Sequence, residues 1–307
     1  MKEVKIYSPA TVANIVCGFD VLGMCLAEPC DVMHVKLLAE KKVVINNINN
    51  HQLPTDASQN TAGASILAML DDINDEIGFE ISIEKNIKPG SGIGSSAASA
   101  AGAVVAANHL LGNKFGNEDL VRYAMFGEKV ASGVKHADNI APCIYGGITL
   151  IRSIFPLDIV SIPAPQLYVT VVHPQIEVRT SDARQILRKE VLLKDAIRQW
   201  GNIAGLVAGF IKNDYELISR SLEDVIIEPV RSMLIPGFDE VKLKCKEAGA
   251  LGGGISGSGP SIFMLSKNEA TARSVEAVMI NIYNKIELTY HTYVTTINDH
   301  GVKIINE

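Results

Sequence analysis

KPGSGIGSSAASAAGAVVAAN, residues 88–108, is the most informative stretch of this chain. Gly90, Gly92 and Gly94 alternate with Ser91 and Ile93, then Ser95 and Ser96 lead into a long row of alanine, glycine and valine. Glycine admits backbone conformations closed to other residues and lets a ligand approach the main chain. A helix beginning near Ser95 adds unpaired N–H groups and a partial positive charge. Such a junction binds an anion without needing a lysine, and the hydroxyls of Ser91, Ser95 and Ser96 can donate to phosphate oxygens or coordinate a metal. The small residues behind it let the helix pack closely and hold the loop rigid. Neither common phosphate motif is present: no GKS or GKT occurs, and the Gly90, Gly92, Gly94 spacing misses GxGxxG. Taken alone, the loop is equally compatible with an ordinary turn before a buried helix.

The rest of the chain narrows the choice. Its 307 residues are 47% hydrophobic and 20% charged, a globular composition. The net charge of −6 and the absence of a dense Lys/Arg run argue against nucleic acid as a partner. Five cysteines with no CxxC spacing suggest neither a disulfide framework nor a zinc site, and free thiols fit the cytoplasm. No apolar run reaches the length of a membrane span.

Strands are expected at 4–10, 32–38, 42–48, 79–84 and 147–151, with helices at 60–73 and 117–132 and a helix following the glycine loop. Pro156, Pro163 and Pro165 mark an expected domain boundary. Beyond them come the strand QLYVTVVHP and a helix near Ser181. Helices at 191–211, 214–224 and 238–248 follow. A second glycine-rich loop, GGGISGSGP, precedes the strand SIFML, a helix at 269–284 and closing strands. Mixed elements without regular βαβ alternation favour α+β over a doubly wound sheet. On the helix 117–132, Leu120, Val121, Ala124, Glu128 and Ala131 share one face. Glu128 therefore projects from a mostly apolar stripe and needs a partner.

Three segments together carry a family resemblance. PGSGIGSSAAS, with SPATVANIVCGFDVLG at 8–23 and GGGISGSGPSIF at 252–263, resembles the three ordered motifs of the GHMP kinases, the galacto-, homoserine, mevalonate and phosphomevalonate kinases. Ile93 stands where leucine is commoner, a swap that keeps volume. The resemblance implies a ribosomal-S5-like N-terminal domain at 1–160 and a ferredoxin-like C-terminal domain at 161–307, whose last strand returns toward the first domain. It implies ATP in the cleft, with adenine in an apolar pocket of N-terminal-domain strands. The phosphates would be cradled by Pro89, Gly90, Ser91, Gly92, Ile93, Gly94, Ser95, Ser96, Ala97, Ala98 and Ser99. Mg²⁺ would be held by Ser96 and Glu128; otherwise Glu128 is a salt-bridge or edge residue.

Within the family, four segments resemble the members that phosphorylate homoserine: ANIVCGFDVLG, HADNIAP from His136, TSDAR from Thr180, and EPVR from Glu228 followed by LIPGFDE. The implied reaction is ATP-dependent phosphorylation of the L-homoserine hydroxyl. Arg184 and Arg231 suit its carboxylate, since guanidinium grips carboxylates in bidentate geometry. Asn14 and Asp20 suit its ammonium, and Gly257 brings the second loop to the substrate. Asp138 is a candidate proton acceptor, Asn139 an alternative that only orients the hydroxyl, and Thr180 a hydroxyl near the γ-phosphate. His136 either orients Asp138 or is structural. A homodimer is compatible with the family. Two rival readings are a GHMP kinase for a mevalonate- or shikimate-like alcohol and a nucleotide-binding regulator without catalysis.

Overall fold

The computed structural model describes residues 2–49, 51, 53–178 and 180–305. In chain order the first half runs β1 (Glu3–Ala13), β2 (Leu22–Leu38), β3 (Val43–Asn47), α1 (Thr61–Asp71), β4 (Gly78–Glu84), α2 (Ser95–Leu110), α3 (Asn117–Ser132), α4 (Ile140–Tyr145), β5 (Ile148–Ile154) and β6 (Leu157–Ile162). The second half runs β7 (Tyr168–Pro174), α5 (Thr180–Gln185), α6 (Leu193–Lys212), α7 (Tyr215–Ser221), α8 (Glu228–Arg231), α9 (Phe238–Glu247), β8 (Gly252–Ile255), β9 (Ile262–Ser266), α10 (Glu269–Lys285), β10 (Tyr290–Thr296) and β11 (Lys303–Ile305). The class is α+β, as expected.

Two sheets organise these elements. The first has the order β11-β1-β2-β4-β3, with β5 paired to β2 and β6 to β5; the second is β10-β7-β9-β8. All pairings are antiparallel except β3 with β4. Strand β11 pairs with β1, which carries the chain's last described segment back to the first sheet. The chain passes between sheets after Ile162.

The first core joins one face of that sheet, through Ile6, Met33, Phe79 and Ile81, to α1–α4. Helix α2 is buried nearly all round, the signature of a helix with apolar surface on every face. Its small side chains have a steric reason: a Cβ on Gly102 would lie 2.6 Å from Met33 Sδ and 2.9 Å from Ile6 Cδ1. A second core joins the start of β2 to β7, β9 and Phe210 of α6, and so welds the two sheets together. A third packs the second sheet against α9 and α10. Among the described residues no helix is long and apolar enough to cross a membrane.

Several expectations need correction. The strand expected at 32–38 is the second half of a 17-residue strand. Its first half pairs with β1 and β5, and Pro29 breaks the alternation that would have revealed it. Pro156 lies in the turn of the β5–β6 hairpin, so β6 was hidden behind a residue read as punctuation. Residues 252–255, read as loop, form β8. There the glycines are demanded by the neighbouring strand: a Cβ on Gly253 would lie 2.8 Å from Met264 Cα.

Candidate active site

A cavity of about 560 Å³ lies where the two glycine loops meet. The first loop enters α2 through Gly94, whose left-handed backbone (φ 72°) caps the helix with no side-chain hydrogen bond. Among the described residues the amides of Gly92, Gly94, Ser95, Ser96 and Ala97 have no acceptor in the protein. A row of unmatched donors at a helix start suits an anion.

Of the expected cradle, Pro89, Gly90, Gly92, Gly94, Ser95, Ser96 and Ser99 line the cavity. Ser91, Ile93, Ala97 and Ala98 are buried and do not. Ser91 instead meets the second loop: its carbonyl accepts from Ser261 N (3.2 Å) and Ser261 Oγ (2.7 Å). Ser95 Oγ donates to Ile87 O at 2.8 Å, which also turns this hydroxyl toward the protein. Ser256 Oγ donates to Gly92 O at 2.8 Å. The second loop thus clasps the first from behind.

Ser96 Oγ donates to Glu128 Oε2 at 2.8 Å. Glu128 has no Lys, Arg or His within ion-pair distance among the described residues, and burial pushes its carboxyl up to about 7. A hydroxyl beside an uncompensated carboxylate is a hard oxygen pair that fits Mg²⁺, an ion that keeps waters and phosphates as its other ligands. No cluster of three or more His, Cys, Asp or Glu forms a complete protein cage among the described residues.

Asp138 and Asn139 precede α4. Asp138 is buried and its carboxyl is pushed up to about 7, first by burial and then by the negative charges of Asp20 and Glu128. Its backbone lies so close to β2 that Gly23 admits no Cβ: the nearest Asp138 atoms would overlap it. Asn139 Oδ1 accepts from Thr11 Oγ1 at 2.8 Å.

The charged groups gather opposite the helix start. Arg184 Nη2 donates to both oxygens of Asp20 at 2.9 Å. His136 touches both, with Nδ1 3.7 Å from Asp20 Oδ1 and Nε2 3.3 Å from Arg184 Nη2. It does not hydrogen-bond Asp138, the orienting role considered for it. Arg184 Nε is buried with no partner. Arg231 is buried, with Nε donating to Ala183 O (2.9 Å) and Nη1 to Gly257 O (3.2 Å). No carboxylate lies within 4 Å of it among the described residues, and burial followed by Arg184 lowers its pKa to about 10. Gly257 O also accepts from Asn14 Nδ2 at 2.9 Å, while Asn14 Oδ1 receives Asp20 N at 3.0 Å. Asn14 and Asp20 both hold left-handed backbone, φ 72° and 62°. Thr180 Oγ1 lies 3.2 Å from Ser258 Oγ, at the seam of α5 and the second loop.

Three features were not found from sequence. Phe19 lies beneath both guanidiniums, 5.4 Å from Arg184 Cζ and 4.9 Å from Arg231 Cζ, a cation–π arrangement that the GFD triplet alone does not reveal. Lys85 reaches the cavity from the end of β4. The far end is lined by Leu53, Pro54, Gln59, Asn60, Thr61 and Val130, from a loop and two helices. The expected apolar pocket of strands is therefore not what borders this end.

Residues 60–147 match the GHMP kinases N terminal domain and residues 206–285 the GHMP kinases C terminal domain. This chain belongs to the GHMP kinase family. A protein named homoserine kinase from Chloroherpeton thalassium is 47% identical to this GHMP kinase over 93% of the chain and 94% of its own length. A crystal structure of homoserine kinase from Cytophaga hutchinsonii superposes with TM-score 0.95 at 49% identity, covering 99% of this chain and 98% of that one. More distantly, a crystal structure of L. major mevalonate kinase in complex with R-mevalonate shares the fold at TM-score 0.70 and 14% identity, over 95% of each chain.

Proposed function

We propose that this GHMP kinase transfers the γ-phosphoryl group of ATP to the side-chain hydroxyl of L-homoserine, giving O-phospho-L-homoserine and ADP on the route to threonine. The observation that carries the reading is one cavity holding an anion cradle at one wall and paired, oppositely charged groups at another. An amino acid is a zwitterion, and Arg184 with Asp20 offers it one partner for each charge. Arg231 adds a buried cation without a carboxylate of its own. A sugar or mevalonate acceptor has no use for Asp20 as an ammonium partner.

ATP would lie with its phosphates on the amides of Gly92, Gly94, Ser95, Ser96 and Ala97 and its base toward Leu53, Pro54 and Val130. Mg²⁺, held by Ser96 and Glu128, neutralises charge on the phosphates when bound. Asp138, titrating near neutrality, is matched to accept the hydroxyl proton. Asn139, its Oδ1 occupied by Thr11, is left with its amide nitrogen to position the hydroxyl oxygen. Asn14 and Gly257 shape the substrate end, and Thr180 stands where a γ-phosphate would meet the second loop. Phosphoryl transfer relies mainly on such positioning and charge neutralisation.

The same proposal includes the division at 1–160 and 161–307, a cytoplasmic setting, and self-association into a homodimer. An apolar stripe on α6, Leu193, Ile197, Trp200 and Ile211, is exposed and supports the last point. Sedimentation of the parent chain and of a Trp200→Lys variant tests it.

ADP release measured with homoserine, serine, mevalonate, shikimate and galactose tests the function. Turnover on homoserine alone is expected. Preference for another alcohol, or nucleotide binding with no turnover on any, overturns it.

A further inference from the structure

We infer that the buried Asp31–Lys85 pair is a positioning device that fixes the first turn of α2. Both side chains are almost fully out of solvent, with 0% and 2% exposure. Asp31 Oδ1 accepts the amides of Asn86 (2.8 Å) and Ile87 (2.9 Å), and Oδ2 pairs with the Lys85 ammonium. Lys85 Nζ also donates to Ser95 O at 2.8 Å and Ser99 Oγ at 3.1 Å. Ser95 Oγ closes the ring by donating to Ile87 O. The first residue of α2 is therefore held at its carbonyl and at its hydroxyl, and the next residue is Ser96, the partner of Glu128.

Lys85 borders the cavity beside Ser95, Ser96 and Ser99, so a direct phosphate contact is the obvious alternative. The bonding argues against it. An ammonium has three protons, and here Asp31, Ser95 O and Ser99 Oγ take all three. A lone cation at a helix N-terminus also opposes the macrodipole, and Asp31 cancels that charge while leaving the geometry. Buried ion pairs are poor stabilisers relative to apolar replacements of the same volume. What this one supplies is register: it ties β2, the end of β4 and α2 together next to the phosphate site.

The inference rests on the reading of the first glycine loop as that site. The test uses the full chain carrying Asp31→Asn with Lys85→Met, which removes both charges and leaves neither unpaired. Thermal melting, MgADP affinity by calorimetry, steady-state kinetics and amide exchange in the first turn of α2 are measured against the parent. The expected result is a melting temperature near that of the parent, kcat lower by about 10–100-fold, MgADP binding weaker by about fivefold or more, and KM for homoserine within about twofold. Faster amide exchange at 96–98 is expected even without nucleotide. A folded double variant with parental kcat, MgADP affinity and exchange overturns the inference. If the double variant melts far below the parent, Lys85→Arg, which keeps the charge but not the compact three-way geometry, is read in its place. It is expected to fold and to lose about tenfold in kcat, and parental kcat overturns the inference. A parent that binds no MgADP sinks the phosphate reading instead, and the exchange data then test the clamp by themselves.

Discussion

The two glycine loops have nearly the same composition and opposite surroundings. Gly90 in the first loop has φ 75° and open space where a Cβ would go; Gly92, two residues on, has φ 83° and would place a Cβ 2.5 Å from Gly259 O and 2.9 Å from Ser256 O. The first loop faces the cavity with unmatched amides. The second faces the first loop, with Ser256 and Ser261 bonded to its carbonyls. Glycine in one place keeps the backbone open to a ligand, and in the other it lets two backbones touch. Counting glycines cannot separate these uses; what lies 3–4 Å away does.

That difference can be broken by substitution. Gly92→Ala drives a side chain into the second loop's backbone and displaces the cradle from the charged groups opposite. A misplacement of about 1 Å costs about 100-fold in rate, and kcat/KM is expected to fall by at least that in a coupled assay. If Gly92→Ala leaves kcat/KM intact, the loops do not need their contact. Glu128→Gln keeps the Ser96 hydrogen bond but removes the charge beside the first loop. Its expected effect is a loss of about 100-fold in kcat, comparable to deleting one preorganised electrostatic group, together with unchanged or higher melting temperature at pH 8. A fall in melting temperature would mean that the carboxylate serves the fold.

The pH dependence sharpens the same contrast, because the two carboxyls raised to about 7, Glu128 and Asp138, border the cavity that the first loop faces, whereas the raised carboxyl beside the second loop, Glu228, is paired with Lys242. Glu128 and Asp138 hold their protons up to about 7 in the folded chain but release them in the ordinary carboxylate range when unfolded. Between those limits the folded state binds more protons, so stability without nucleotide falls as pH rises toward about 7. If Glu128 holds the metal as proposed, binding of MgATP needs it ionised and is expected to release protons and to tighten through the same window. Calorimetry in buffers of different ionisation enthalpy measures this, and proton uptake would contradict it. The smallest effect is expected from Gly90→Ala. With nothing in its way, the substitution costs only the left-handed backbone, about 1–2 kcal/mol of stability, with kcat within a few-fold of the parent. A loss as large as that of Gly92→Ala would erase the distinction between the open glycine and the one pressed against the second loop.

Much of this site was legible because its parts are local. The helix 117–132 coincides with α3, and its apolar spacing placed Glu128 on the face that meets Ser96. The loop-to-helix junction at Gly94–Ser95 follows from glycine and serine preceding a small-residue run. Phe19 and Lys85 were not legible, since nothing in GFD or in IEKN says which side chain turns inward. Both depend on partners far along the chain, Arg231 for the first and Asp31 for the second. The Arg184–Asp20 pair was half legible: both residues were picked for opposite charges of a ligand, and the fold sets them against each other.

The amino-acid order by itself determined the class, the glycine loop-to-helix junction and the family, because propensity, periodicity and glycine placement act within a few residues. Tertiary structure alone decided which hydroxyls face the cavity, which glycines are contacts, and which carboxyls titrate near neutrality. Those properties are set by burial and by charges brought within a few ångströms from segments more than a hundred residues apart, as when Asp20 and Arg184 close over Phe19.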